Sequence, residues 1–381
     1  MKSILSTLKE YNFNRLNLRL VLYLSILTII GILAVGSAGG EYYQKRQMAG
    51  FALGFLAMVV LMLISYNFIL KFYWILYILS VGLLLWVRIN GRMGLGAQRW
   101  VDMLGIRFQP SEICKVLLIL FMAACIRKHK DEINNFKFLI PLGLSLSVPV
   151  VLILMQPDLS TTIVYLAAFA IVIFVAGLNY RIIGSLFMIA LPILAVMAYL
   201  IAFHPEVKIL HSHQYNRLLG FYSKNVDDPK VKDLRYQQEN ALLAIGSGGL
   251  KGKGLYNNDE TSVKNSNLIP EDHTDFVFTV IGEELGFVGC IAVLALIALI
   301  VLECFLTGGR VRDPAGKLYC YGFGSTVAIQ SFINIAVNTM LLPNTGLPLP
   351  FLSYGLTSLV SMFIGMGIVL NIGLHTKKSV Y

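Results

Sequence analysis

Long, mostly apolar runs recur along nearly the whole chain, separated by short polar segments, and each run is continuously apolar rather than alternating. A run of about 18 residues or more crosses a hydrocarbon core of roughly 30 Å when helical. Strict alternation would have indicated a membrane barrel; unbroken apolarity predicts helices, which satisfy their own backbone polar groups in lipid. The pattern predicts spans over residues 20–38, 48–66, 69–88, 113–126, 138–155, 160–178, 182–203, 276–306, 318–342 and 353–374. The fourth is short for a crossing. The eighth is long enough to tilt or to stand proud of the bilayer. The chain therefore reads as an all-α polytopic membrane protein of about ten transmembrane helices, a single membrane domain over 1–381 with one large hydrophilic loop at 204–275.

Composition sharpens this picture: the 381 residues are 56% hydrophobic and 14% charged, which excludes an ordinary soluble domain. A net charge of +10 raises the question of nucleic acid, but the basic residues are scattered beside the spans and form no single patch. Membrane orientation accounts for them. With an even number of spans, Lys2, Lys9, Arg15, Arg19, Lys71, Arg127, Lys128, Lys130, Lys137, Arg181, Arg310, Arg312, Lys317, Lys377 and Lys378 all fall on one face. The Lys/Arg bias makes that face cytoplasmic, together with both termini, and puts 204–275 on the external side. In that loop, 223–235 and 256–267 read as mobile, and 241–255 and 268–276 as ordered. The polar stretch 1–17 precedes a run without a small-residue cleavage site, which predicts a retained first span. Cys114, Cys125, Cys290, Cys304 and Cys320 lie in or beside apolar runs, so neither a disulfide framework nor a metal cluster is expected.

Five polar constellations interrupt the apolar pattern. The external connection 89–112 carries Arg92, Arg99 and Arg107 against the orientation rule, which suggests either headgroup snorkelling or an anionic ligand such as phosphate. Within GAQRWVDMLGIRFQPSEICK, Pro110 suits a first helical turn, and Glu112 and Lys115 share a face at i, i+3. Inside a membrane such a pair either locks helices together or faces a functional cavity. In MQPDLSTTI, Asp158 either caps the next helix or pairs with Lys115 or an external arginine. AIGSGGLKGKGL, with Lys251 and Lys253, permits close approach of amides to an anion, or is simply a glycine-rich turn on the bilayer surface.

LIPEDHTDFVFTVIGEELGFVG is the most informative stretch: Glu271, His273 and Asp275 stand at the membrane boundary, and Glu283 and Glu284 lie inside the following helix. Asp275 falls where the first turn should begin, which favours its ionised form and suits a general base, a divalent-cation ligand or an N-cap. NTMLLPNTGLPLPFLSYGLTS breaks the helical pattern at Pro343, Pro348 and Pro350, as a broken-helix element lining a cavity or a rigid loop does.

In order, RWxxxxxxxFQPSExxK, QPDL, AIGSGGLxGKG, PEDHTDFVFxxIGEELGFxG and TGLPLPFLSYG resemble the SEDS family, the shape, elongation, division and sporulation proteins, over about residues 90 to 360. The HTDF and TGLPLPF wording is closer to its RodA branch than to FtsW. Departures are Ser160 and Leu356, where glycine is usual, and Glu239-Asn240 after Tyr236-Gln237-Gln238. The resemblance implies a ten-helix fold and a peptidoglycan glycosyltransferase that joins lipid II units through β-1,4 bonds and releases undecaprenyl diphosphate. It also implies a class B penicillin-binding protein as crosslinking partner, other elongation-complex membrane proteins, a part in cell shape and cell-wall biogenesis, and no nucleic acid. Carried over position by position, the family's essential aspartate falls on Asp275, its FQPSExxK ionisable residues on Glu112 and Lys115, its QPDL aspartate on Asp158 and its RW arginine on Arg99.

Residue chemistry fits such a reaction, which needs a base for the acceptor hydroxyl and cations for the departing diphosphate. Asp275 is the expected base. Arg99 and Lys115 are expected on the diphosphate, with a divalent cation, Mg or Mn, as a further option, and Asp158, Glu271, His273, Lys253 and Glu112 are the other candidate substrate contacts. The polyprenyl tail is expected in a groove between helices. A lipid II flippase also uses broken helices and intramembrane charges, but needs its site near the midplane. A non-catalytic scaffold leaves the external arginines and carboxylates without a role.

Overall fold

A computed structural model describes residues 16–94, 97–103, 106–185, 212–223, 228–257, 269–270 and 272–375, with positions 188, 191, 192, 196, 199 and 262. Among them the helices are α1 (Leu18–Gly39), α2 (Glu41–Leu63), a short α3 (Tyr66–Lys71), α4 (Tyr73–Asn90), α5 (Pro110–Lys128), α6 (Phe136–Leu154), α7 (Leu159–Val175), α8 (Ser212–Tyr222), α9 (Pro229–Ser247), α10 (Val277–Arg310), α11 (Pro314–Asn338) and α12 (Leu356–Leu374). By length and composition α1, α2, α4, α6, α10, α11 and α12 can cross a membrane, and α7 is a shorter apolar helix. The fourth predicted span is α5, lengthened to 19 residues. The seventh, 182–203, is helical at 180–185, and most of its remainder lies outside the described residues. Also outside them lie Lys2, Lys9, Arg15, Glu271, Lys377, Lys378 and most of 256–267.

The helices are apolar on both faces, which distinguishes this bundle from a water-soluble one. On α1, Leu20, Leu24 and Leu27 are buried while Leu22, Ile26 and Ile29 point outward, as lipid permits. α5 is the hub: buried along most of its length, it packs on α4, α7, α11 and α12. At the end of the bundle away from Asp275, polar side chains tie the helices together. Asn371 accepts from the Tyr66 amide at 2.8 Å and donates to the Met62 carbonyl at 2.6 Å. Arg127 pairs with Asp313 at 3.4 Å, and Asn17 donates to Glu303 at 2.8 Å.

The connection 89–112 forms a small antiparallel sheet, β1 (Arg92–Gly94), β2 (Ala97–Met103) and β3 (Ile106–Phe108), in the order β1-β2-β3. Asp102 stands opposite Arg107, an exposed cross-strand pair of opposite charge. The loop also holds more helix than the sequence suggests. Residues 229–235, expected to be mobile, are the first turns of α9, with Val231 buried and Arg235 paired to Glu239 at 2.9 Å. Val231, Gln238, Ala241 and Ala244 recur on one buried face, a helical spacing that the surrounding charges obscure.

α10 has 34 residues because it is two helices joined across Gly286, at φ 66 and ψ −162. The break frees backbone groups, and the glycine-rich loop before it pairs them. The amides of Lys253 and Gly254 donate to the Glu283 and Glu284 carbonyls at 2.9 Å each, and those of Phe287 and Val288 donate to Gly249 and Leu250 at 2.9 and 3.2 Å. Those two loop amides thus close a helix break and are not open to an anion. A Cβ at Gly286 meets the Gly252 nitrogen at 2.3 Å. Gly286→Ala is expected to destabilise the fold by about 1–3 kcal/mol from backbone strain alone, with the clash in addition. Gly82→Ala, where a Cβ meets nothing within 4 Å, is the control. Thermal melts in detergent check this; equal melting temperatures for the two variants contradict it.

Candidate active site

Asp275 ends the turn that leads into α10, one residue before the N-cap position, which Phe276 occupies without a side-chain bond. Its backbone is fixed from α11. The Asp275 carbonyl accepts from Asn334 Nδ2 at 2.8 Å and from Asn338 Nδ2 at 3.0 Å. Asn338 Oδ1 in turn accepts from the Thr279 hydroxyl at 2.8 Å. One turn earlier on the same face, Gln330 donates to the Pro348 carbonyl at 2.9 Å, and Asn334 also donates to Leu347 at 2.7 Å. Three amides four residues apart on one helix thus form a ladder that holds both Asp275 and the proline-rich segment. That segment is irregular and its carbonyls are occupied, so it is rigid; Phe351 is held buried at φ 66 within it.

The ladder continues to the predicted ion pair. Lys115 Nζ lies 2.9 Å from Glu112 Oε1 and donates to Gln330 Oε1 at 2.7 Å, and Ser358 donates to Glu112 Oε2 at 2.8 Å. With exposures of 1% and 3%, Glu112 and Lys115 are enclosed by α5, α11 and α12. Their pairing is charge-assisted and sealed, which suits a lock.

Asp158 fills both of the roles its sequence left open. It accepts from the Thr161 amide at 3.1 Å as the cap of α7, and its other oxygen lies 3.4 Å from Arg99 Nε, whose Nη2 donates to Pro157 at 3.1 Å. β2 carries Arg99 to this point. Arg217, on α8, joins the same group and donates to the Asn344 carbonyl at 3.3 Å. Partial burial and the neighbouring Arg99 push its pKa down, while Asp275 and Asp158 oppose them, so two guanidiniums and two carboxylates share one field. Gly346, at φ 68, keeps the space open: a Cβ there stands 3.2 Å from Asp275 Oδ2 and 3.5 Å from Arg217 Nη1. Crowded guanidiniums at the edge of a bundle suit a diphosphate, which arginine grips bidentately.

The other predicted residues lie around this centre. Lys253 pairs with Glu283 at 2.8 Å, and Ser37 donates to Glu284. His273 lies 3.3 Å from Asp272 and packs on Tyr43, and its carbonyl accepts from the Tyr354 amide at 2.9 Å. The five cysteines are buried and free. Among the described residues no group of three or more His, Cys, Asp or Glu comes together, and the guanidinium of Arg217 is a neighbour of Asp275. Sequence reasoning missed Arg217, a lone arginine in a polar helix that nothing in the chain marks out. It also missed the amide ladder, although Gln330, Asn334 and Asn338 repeat every four residues in an apolar span.

Comparison with known proteins identifies the family. The FtsW/RodA/SpoVE cell cycle protein model matches residues 12–378. The chain is 34% identical over 376 residues to the probable peptidoglycan glycosyltransferase FtsW of Geobacter sulfurreducens, covering 95% of this chain and 96% of that one. It is 32% identical over 364 residues to the peptidoglycan glycosyltransferase MrdB of Escherichia coli, covering 94% and 93%. The fold resembles a chain of a peptidoglycan synthase complex that coordinates polymerization and crosslinking, with a TM-score of 0.75, 28% identity and coverage of 95% and 97%. It also resembles the rod shape determining protein RodA of Thermus thermophilus, with a TM-score of 0.66, 26% identity and coverage of 97% and 98%. The chain belongs to the FtsW/RodA/SpoVE family.

Proposed function

We propose that this chain is a peptidoglycan glycosyltransferase that joins lipid II units into glycan strands at the outer face of the bacterial cytoplasmic membrane, during elongation of the cell. The observation that carries this reading is the placing of Asp275 beside Arg217, with Arg99 and Asp158 in the same field. An acceptor sugar hydroxyl attacks the anomeric carbon that carries the lipid diphosphate. Asp275 takes the hydroxyl proton, the new glycosidic bond forms, and the bond to the diphosphate oxygen breaks with its electron pair leaving on undecaprenyl diphosphate. Arg217 and Arg99 stabilise the departing charge. Lys115 is saturated by Glu112 and Gln330 in the interior and acts on the frame.

The placing of the site at helix ends supports a transferase over a flippase: Asp275 precedes α10, Asp158 precedes α7, and Arg99 and Arg217 come from the sheet and α8. Likeness to a synthase-complex chain supports a class B penicillin-binding protein as partner. The HTDF and TGLPLPF wording and the likeness to RodA support the elongation role. The basic residues gathered at the far end of the bundle support cytoplasmic termini. An impermeant thiol label on intact cells, with the outer membrane opened if there is one, is expected to reach Asn258→Cys and to spare Lys128→Cys; the reverse result contradicts the orientation.

Asp275→Asn preserves shape and the backbone bonds to Asn334 and Asn338 but cannot accept a proton at neutral pH. With its cognate crosslinking enzyme, it is expected to insert normally, retain lipid II and lose polymerisation by about a hundredfold or more. Arg217→Ala is expected to weaken lipid II binding about tenfold or more as well as to slow the reaction. Gel analysis of glycan products from lipid II, with a separate binding measurement, checks both. Polymerisation by Asp275→Asn near the parental rate contradicts the reading.

A further inference from the structure

At the end of α2 nearest the site, several rings are in contact where the sequence shows only EYYQKRQ. Tyr43 lies 5.3 Å from Tyr42, 4.9 Å from Tyr354 and 4.3 Å from His273, ring centre to ring centre. Arg46 stands over the Tyr42 ring at 5.1 Å. Tyr42 itself is 61% exposed. The same turn carries an exposed Glu41–Lys45 pair at 2.7 Å, which makes it a wet surface. The cluster is tied to the active centre, because the Tyr354 amide donates to the carbonyl of His273, two residues before Asp275.

Tyrosines commonly anchor helices at the headgroup level, and there each lies singly against lipid. Here the rings contact one another and a guanidinium, and one of them is fixed to the catalytic turn. We propose that Tyr42, Tyr43, Tyr354 and Arg46 form a carbohydrate subsite that holds N-acetylated amino-sugar rings of the nascent glycan strand. This rests on the polymerase reading, which puts sugars, beyond the diphosphate, next to Asp275. A pyranose ring presents an apolar C–H face that the exposed Tyr42 ring covers, and its hydroxyl and acetamido oxygens accept from a guanidinium such as that of Arg46. Glu41 neutralises Lys45, so Arg46 is the one uncompensated charge of the turn, fewer than a second diphosphate calls for.

The test is titration of the purified full-length protein with a soluble, lipid-free tetrasaccharide of N-acetylglucosamine, whose rings are uncharged, followed by calorimetry. The parental protein and Asp275→Asn are expected to bind equally, and Tyr42→Phe, which keeps the ring, is expected to match them. Tyr42→Ala, at an exposed position with an unchanged melting temperature, is expected to bind about five- to tenfold more weakly, the scale of one lost ring contact. It is also expected to make shorter strands. Absence of tetrasaccharide binding by the parental protein, or undiminished binding by Tyr42→Ala, overturns the subsite. Failure of the catalytic reading appears separately, as polymerisation by Asp275→Asn, and leaves the binding comparison intact.

Discussion

The sealed pair of Glu112 and Lys115 is the constraint on which the bundle turns. Lipid and apolar side chains offer a charge nothing, so each must meet a partner inside the protein, and removing one of a buried pair typically costs about 3–5 kcal/mol. Here the requirement spreads outward. Lys115 engages Gln330 of α11, Glu112 engages Ser358 of α12, and both lie on α5, which is buried along most of its length. Satisfying one pair of charges therefore sets the mutual position of three helices.

The same logic carries order to the site. Gln330 starts a row of amides, and Asn334 and Asn338 hold the carbonyl of Asp275 and the irregular segment that bears Gly346. Backbone that leaves helical geometry inside a membrane protein has to bond to something, and the amide side chains supply those bonds. The broken α10 follows the same rule at Gly286, where the glycine loop takes up the freed carbonyls and amides. The proposed reaction centre of opposed charges thus rests on a frame tied together by buried hydrogen bonds. A frame of this kind holds charges in place ahead of substrate, the condition that the proposed electrostatic catalysis requires.

The spans were legible because a bilayer requires about twenty apolar residues wherever a helix crosses. Pro110 at the start of α5, the Glu112–Lys115 pair and the two alternatives for Asp158, both of which the structure fills, followed from caps, spacing and the expense of a buried charge. The small sheet at 92–108 was not legible, because its strands are short and their pairing depends on the helices around them. α9 was hidden by its charges. Arg217 is invisible locally: only the fold, which brings Arg99, Asp158, Asp275 and Asn344 around it, gives it neighbours. The aromatic cluster likewise joins residues 43, 273 and 354, whose meeting no local pattern announces.

The central claim is that interior amides position Asp275 for catalysis. It is tested most directly by single-turnover polymerisation with Asn338→Leu, a variant of similar shape that touches no substrate and removes one donor from the Asp275 carbonyl. An orphaned or weakened buried bond is worth about 1–3 kcal/mol. The account predicts a rate lower by about tenfold or more, with lipid II binding unchanged and the protein still folded in the membrane. A parental rate in the folded variant contradicts it.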